Sequence, residues 1–151
     1  MTNIAIFPGS FDPITIGHYS ILKRAIPLFD KIIIAVGNNM DKKYLFSLDE
    51  RMRQINQVFS GMGNVEIKSY QGLTVNFCKE VEANYILRGL RNSTDFEFEK
   101  GIAQANKTLS GIETLFLISD PEHTGISSTI VRDIYRNKGD ISAFIPKGLK
   151  L

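Results

Sequence analysis

Apolar residues in this chain fall into short, nearly continuous runs separated by longer stretches where they recur every three or four positions. The runs at residues 3–7, 31–36, 65–69, 85–87 and 113–118, taken together as β-branched and nearly continuously hydrophobic, predict strands covered on both faces. The periodic stretches predict helices near residues 17–29, 48–60, 74–83, 94–109 and 130–137. Ser47 with Glu50 forms a capping-box pattern at the second helix, and Gly139 supplies a stop for the fifth. Pro27 falls inside the first helical pattern and predicts a kink or an early end. Phe98, Ile102, Ala105 and Leu109 form one stripe along the fourth helix. The start of that helix is ambiguous, because residues 95–99 alternate like a strand.

Strands alternating with helices from end to end predict an α/β fold: a doubly wound five-stranded parallel sheet with right-handed crossovers, as a single domain over residues 1–151. No repeat, linker or low-complexity tract interrupts the pattern. The apolar segment 141–146 fits either core padding or a subunit contact.

Composition narrows the class. A 151-residue globule buries roughly 68–70% of its unfolded surface, so it holds a core without staples. A net charge of +2 argues against a broad nucleic-acid footprint. The lone Cys78 excludes an internal disulfide and reads as a buried thiol in a reducing compartment. With no leader-like or membrane-length apolar segment, the expectation is a cytoplasmic protein without a membrane partner.

In sheets of this kind ligands bind beyond the carboxyl ends of the strands, and the chemically suggestive residues cluster there. After the first run, Pro8-Gly9-Ser10-Phe11-Asp12-Pro13 leads to Thr15-Ile16-Gly17-His18 at a helix start. Thr15 can cap that helix and hold His18 on its first turn, where the helix carries about half a positive charge. A ring N–H there can stabilise charge developing on a phosphorus centre, and Ser10 can donate to a phosphate over the turn. Lys42 and Lys43 follow the second run; either suits a phosphate, with Lys42 chosen. Arg88 and Arg91 flank Gly89-Leu90 after the fourth run, placed for bidentate phosphate contacts or for pairing with Asp95, Glu97 or Glu99. Ile126-Ser127-Ser128-Thr129 precedes the fifth helix, where capping accounts for one hydroxyl but not three, and Arg132 lies one turn on. There is no P-loop, no dinucleotide fingerprint and no zinc set.

The Thr15-to-His18 and Ile126-to-Thr129 elements resemble the two signatures of the nucleotidylyltransferase superfamily. With the segment 8–13, Asp41-Lys42-Lys43, Arg88-Gly89-Leu90-Arg91 and Asp95-Phe96-Glu97, in this order, the whole chain resembles the bacterial phosphopantetheine adenylyltransferase family. The resemblance implies a Rossmann-like nucleotidylyltransferase fold and transfer of AMP from ATP to 4′-phosphopantetheine, giving dephospho-coenzyme A and pyrophosphate. It implies a catalytic His18 and ATP contacts from Ser10, Phe11, His18, Gly89, Leu90, Arg91, Glu99, His123, Thr124, Gly125, Ile126, Ser127, Ser128 and Thr129. It assigns Ser10, Lys42, Thr74 and Arg88 to phosphopantetheine. It further implies Mg2+ carried with ATP rather than by protein ligands, a homohexamer, and feedback binding of coenzyme A. Many members carry threonine at the position of Ser10 and some carry tryptophan at that of His123. A sister nucleotidylyltransferase with another phosphate acceptor, or a nucleotide sensor without catalysis, fits the same scaffold.

Overall fold

Each of the five apolar runs forms a strand in the computed structural model, which describes all residues from Met1 to Leu151. The strands β1 (Ile4–Gly9), β2 (Lys31–Gly37), β3 (Val65–Tyr70), β4 (Tyr85–Leu90) and β5 (Glu113–Ile118) form one sheet in the order β3-β2-β1-β4-β5. All four pairings are parallel. The helices are α1 (Ile16–Ala25), α2 (Leu48–Phe59), α3 (Thr74–Glu80), α4 (Ser93–Ser110) and α5 (Ser128–Arg136).

Successive residues of a strand point to opposite faces, and the two cores follow from that. Phe7, Ile34 and Leu87 enter the larger core with α1, α2, α5 and the C-terminal segment. Their neighbours Ile6, Ile33 and Ile86 enter the smaller one with Phe77 and Cys78 of α3. Burying an aliphatic or phenyl side chain contributes about 1.5–3 kcal/mol, so the fully buried β1 and β2 interiors are the rigid frame. Double-sided cover is confined to the centre: β3 and β5 are edge strands with many exposed positions, contrary to the sequence expectation.

Local chemistry sets the boundaries. Ser47 and Glu50 exchange reciprocal bonds at the start of α2, as their spacing predicts. α1 ends at Ala25, and Pro27 sits in a single 3-10 turn just beyond it. The alternating segment 95–99 is helical, because Asn92 accepts the Asp95 N–H at 2.8 Å and starts α4 ahead of it. The apolar stripe of α4 faces away from the sheet, with Phe98 and Leu109 exposed, while Glu99 turns inward. Gly139 is not the left-handed stop of α5; Lys138 takes that conformation, with φ of 60°. Gly139 serves close packing instead, since a Cβ there would lie 2.5 Å from Ile134 Cγ2. The tail packs into the larger core through Ile141, Ile145 and Leu149.

The strand order reverses between β1 and β4, where the crossover leaving β1 for β2 and that leaving β4 for β5 run in opposite directions. Pairing there stops at Ile6 with Ile86, although both strands run on. Pro8 has no N–H to extend the ladder, and its carbonyl accepts Arg88 Nη1 at 2.5 Å instead. The two strand ends therefore part, and the crevice expected at a switch point opens between them.

Candidate active site

Two cavities meet in this crevice. One of about 340 Å³ lies between the N-termini of α1 and α5, and one of about 610 Å³ runs from the end of β2 toward α3 and α4. Ser10, Lys42, Arg88 and Glu99 line both.

The smaller cavity is built on two helix starts. Thr15 caps α1 by accepting the His18 N–H, and the Thr15 N–H donates to His18 Nδ1 at 3.0 Å. An acceptor at Nδ1 places the proton of the neutral ring on Nε2. Burial, then the charges of Arg88 and Arg91, lowers the His18 pKa to about 4, so the ring is neutral at physiological pH. Phe11 meets it edge-on at 5.0 Å and helps fix its plane. Phe11 itself holds a left-handed φ of 49°, and a Cβ on Gly9 would stand 3.1 Å from its ring. Of the first-turn amides of α1, Ile16 donates to the Phe144 carbonyl and His18 to Thr15, leaving that of Gly17 free beside the cavity.

α5 repeats the device. Ser127 caps it, Ser128 Oγ donates to the Pro13 carbonyl, and Thr129 Oγ1 accepts from Arg132. Only the Ser128 O–H is spent, since Ser127 and Thr129 accept in these bonds and keep their own protons; the donors at the cavity are those two hydroxyls and the backbone amides of Ser128 and Thr129. Arg91 and Arg132 add charge to this end.

At the junction, Lys42 Nζ donates to Ser10 Oγ at 2.9 Å, whereas Lys43 reaches neither cavity. Of the two arginine readings, the acidic pairing is present: Arg88 makes a bidentate pair with Glu99 (2.9 and 2.7 Å), and Arg91 pairs with Asp95 at 3.0 Å; both arginines also line the crevice. Arg88, Gly89 and Leu90 belong to β4 itself rather than to the loop after it. Gly89 admits α1, since a Cβ there would meet Ile21 at 3.1 Å. The Arg91 hydrogen bond holds the Asp95 carboxyl below its ordinary pKa.

Thr74 borders the larger cavity and bonds Tyr70 at 3.0 Å. His123, Ile126 and Ser127 border the smaller one. Leu90, Thr124 and Gly125 border neither; Leu90 is buried, and Thr124 Oγ1 donates to the Pro121 carbonyl. Sequence reasoning missed Tyr44, Tyr70 and Asn106, which line the larger cavity, and the buried Arg51 beneath it. Arg51 left one trace, a cation four residues before Ile55 on the apolar face of α2.

Asp120, Glu122 and His123 bring potential ligand atoms within 4.8 Å of one another, but Asp120 is already bonded to Ser20 and paired with Arg24. Cys78 lies away from the crevice, and burial raises its thiol pKa to about 11. No helix is long and apolar enough to cross a membrane.

Residues 6–134 match the cytidylyltransferase-like family model. Among solved structures, a bifunctional NMN adenylyltransferase/ADP ribose pyrophosphatase of Francisella tularensis superposes with a TM-score of 0.72 over 96% of this chain and 45% of its own, at 17% identity, which speaks to the fold alone. Curated relatives are much nearer. The phosphopantetheine adenylyltransferase of Flavobacterium psychrophilum is 55% identical over 147 residues, 97% of each chain. That of Leuconostoc citreum is 47% identical over 146 residues, covering 96% of this chain and 92% of its own. At such identity over nearly the full length, this chain belongs to the phosphopantetheine adenylyltransferase family.

Proposed function

We propose that this protein transfers AMP from ATP to 4′-phosphopantetheine, releasing pyrophosphate and forming dephospho-coenzyme A. The observation that carries this reading is the meeting of the two cavities at Ser10, Lys42 and Arg88, beside His18. ATP takes the smaller cavity with its phosphates over the α1 and α5 termini. The acceptor takes the larger one, its phosphate at the junction and its amide-bearing arm toward Asn39, Tyr70 and Asn106.

The nucleophile, a phosphate monoester, is already ionised at neutral pH, so no general base is required. Lys42 and Arg88 hold it in line with the α-phosphorus. One acceptor oxygen bonds to that phosphorus as the bond to the β-phosphate bridge breaks, and the electron pair departs with pyrophosphate. His18 Nε2–H and the Gly17 amide donate to the α-phosphate oxygens as charge builds. The Ser128 and Thr129 amides and Arg91 receive the leaving group. Mg2+ bound with ATP supplies further neutralisation of the phosphates. The cavity carboxylates Asp95 and Glu99 are engaged by arginines, so the ion would be held through ATP rather than by these side chains.

The reading extends to a homohexamer with feedback by coenzyme A, in the cytoplasm. Support for assembly comes from the exposed apolar residues Phe98 and Leu109 of α4 and Leu115 and Ile118 of β5.

The test supplies ATP and Mg2+ with 4′-phosphopantetheine, nicotinate mononucleotide or an alcohol phosphate, and measures pyrophosphate. Release with 4′-phosphopantetheine alone is expected. Preference for another acceptor makes this a sister transferase, and ATP binding without release makes it a sensor.

A further inference from the structure

Arg51 lies on the apolar side of α2 and is completely buried. A guanidinium is tolerated in such a place when most of its donors are used, and here Nε and Nη1 are engaged while Nη2 makes no hydrogen bond. Its Nη1 donates to the carbonyls of Ser10 at 2.8 Å and Gly37 at 2.9 Å, and its Nε to that of Phe46 at 3.3 Å. The Tyr44 ring covers it, with the centroid 3.9 Å from Cζ. These carbonyls come from three pieces of chain: the turn after β1, the end of β2, and the loop between β2 and α2.

Asp12, 2% exposed, grips the same loop from the opposite charge. Its carboxylate accepts the N–H groups of Leu45 and Phe46, each at 2.8 Å. Phe46 is thus held through its N–H by an anion and through its C=O by a cation. A few residues upstream, the same loop carries Lys42, whose ammonium donates to the hydroxyl of Ser10. The Ser10 carbonyl is in turn fixed by Arg51.

We propose that Arg51, together with Asp12, is a positioning residue for the phosphate acceptor: two buried charges lock the 38–47 loop onto the β1 turn and so place Lys42 and Ser10 at the junction. Neither residue lines either cavity, so both act through the groups they hold. A planar fork is needed to reach three carbonyls from separate segments, and a lysine cannot replace it. The inference rests on the acceptor assignment above. The nucleotide side is built mainly from α1, α5 and β4, to which neither the Arg51 guanidinium nor the Asp12 carboxylate bonds; its links to the clamp are Ser10, which lines both cavities, and the Asp12 backbone carbonyl, which accepts Arg132 Nη1 at 2.9 Å.

The test compares Arg51→Lys and Asp12→Asn with the unaltered protein, measuring steady-state kinetics with 4′-phosphopantetheine and, separately, ATP binding by calorimetry. A misplacement of about 1 Å costs on the order of 10²-fold. The expected result for Arg51→Lys is therefore a loss of about 10- to 10²-fold in kcat/KM for the acceptor, carried mainly by KM, with ATP affinity retained. Asp12→Asn keeps one acceptor oxygen and moves the same way by less. Retained ATP binding certifies the fold of each variant. An unchanged acceptor KM in both variants overturns the proposal. So does a joint loss of ATP and acceptor binding, or failure of both variants to fold, since either reduces the pair to a general core role. If the unaltered protein releases no pyrophosphate with 4′-phosphopantetheine, it is the functional reading that has failed, and ATP binding by the variants does not enter.

Discussion

The Thr15 amide decides which nitrogen of His18 carries the proton, and with it what the ring can do. With Nδ1 accepting and Nε2 protonated, His18 donates but has no lone pair free to attack phosphorus. His18→Ala is expected to lower kcat by about 10²–10³, the scale for losing one transition-state donor, while ATP still binds. Rapid-quench turnover checks this; near-normal turnover removes His18 from the role. The ring also marks the pH dependence of stability. Its pKa is about 4 in the fold against an ordinary value of 6.5, so between these values the unfolded chain binds the extra proton. The contribution is complete above the upper value and is lost as pH falls through the window. Urea midpoints from pH 7 to pH 4.5 should therefore drop more steeply for the native protein than for His18→Asn; parallel slopes contradict the assignment. His18 was legible because Thr15 and Gly17 announce a helix start after a strand. Arg51 was not, because a lone arginine in a charged helix reads as solvated until its register with Ile55 and Phe59 is noticed.

Helix starts supply neutral donors to the crevice through their backbone amides as well as through side-chain hydroxyls. The Ser127-Ser128-Thr129 triplet marks a helix start at the cavity, but its hydroxyls are not equivalent: that of Ser128 spends its proton on Pro13, whereas Ser127 and Thr129 accept and keep theirs beside the amides of Ser128 and Thr129. Side-chain competition of that kind depends on the distant carbonyl of Pro13, which no local pattern reveals. The close of α5 was misread for a related reason. Glycine after a helix suggests a left-handed stop, yet Gly139 is required by contact with Ile134. Gly139→Ala puts a methyl into that contact and should destabilise the fold by about 1–3 kcal/mol, the usual range for overpacking. Urea denaturation measures it, and an unchanged midpoint shows that Ile134 can move aside. Pro27 and the Ser47–Glu50 pair behaved as local rules dictate, since each acts within one turn of chain.

At the scale of the molecule, function follows from strand order. Alternating strands and helices in the sequence implied a parallel doubly wound sheet, but the position of the reversal, between β1 and β4, depends on which strands pair across long separations. Once it is placed there, the ladder ends at Ile6 and Ile86, the strand tips part, and segments following all five strands meet over one opening. The exposed stripe of α4 shows the converse limit: its period was plain in the sequence, but which side it faced was not. On the proposed reading, which puts both reactants in one crevice and confines His18 to donation, the acceptor displaces pyrophosphate directly. The decisive measurement uses ATP that is chiral at the α-phosphorus through sulfur substitution and determines the configuration of the dephospho-coenzyme A product. Inversion is the predicted result. Retention would mean two successive displacements through an adenylylated residue, and would contradict a direct transfer between neighbouring cavities.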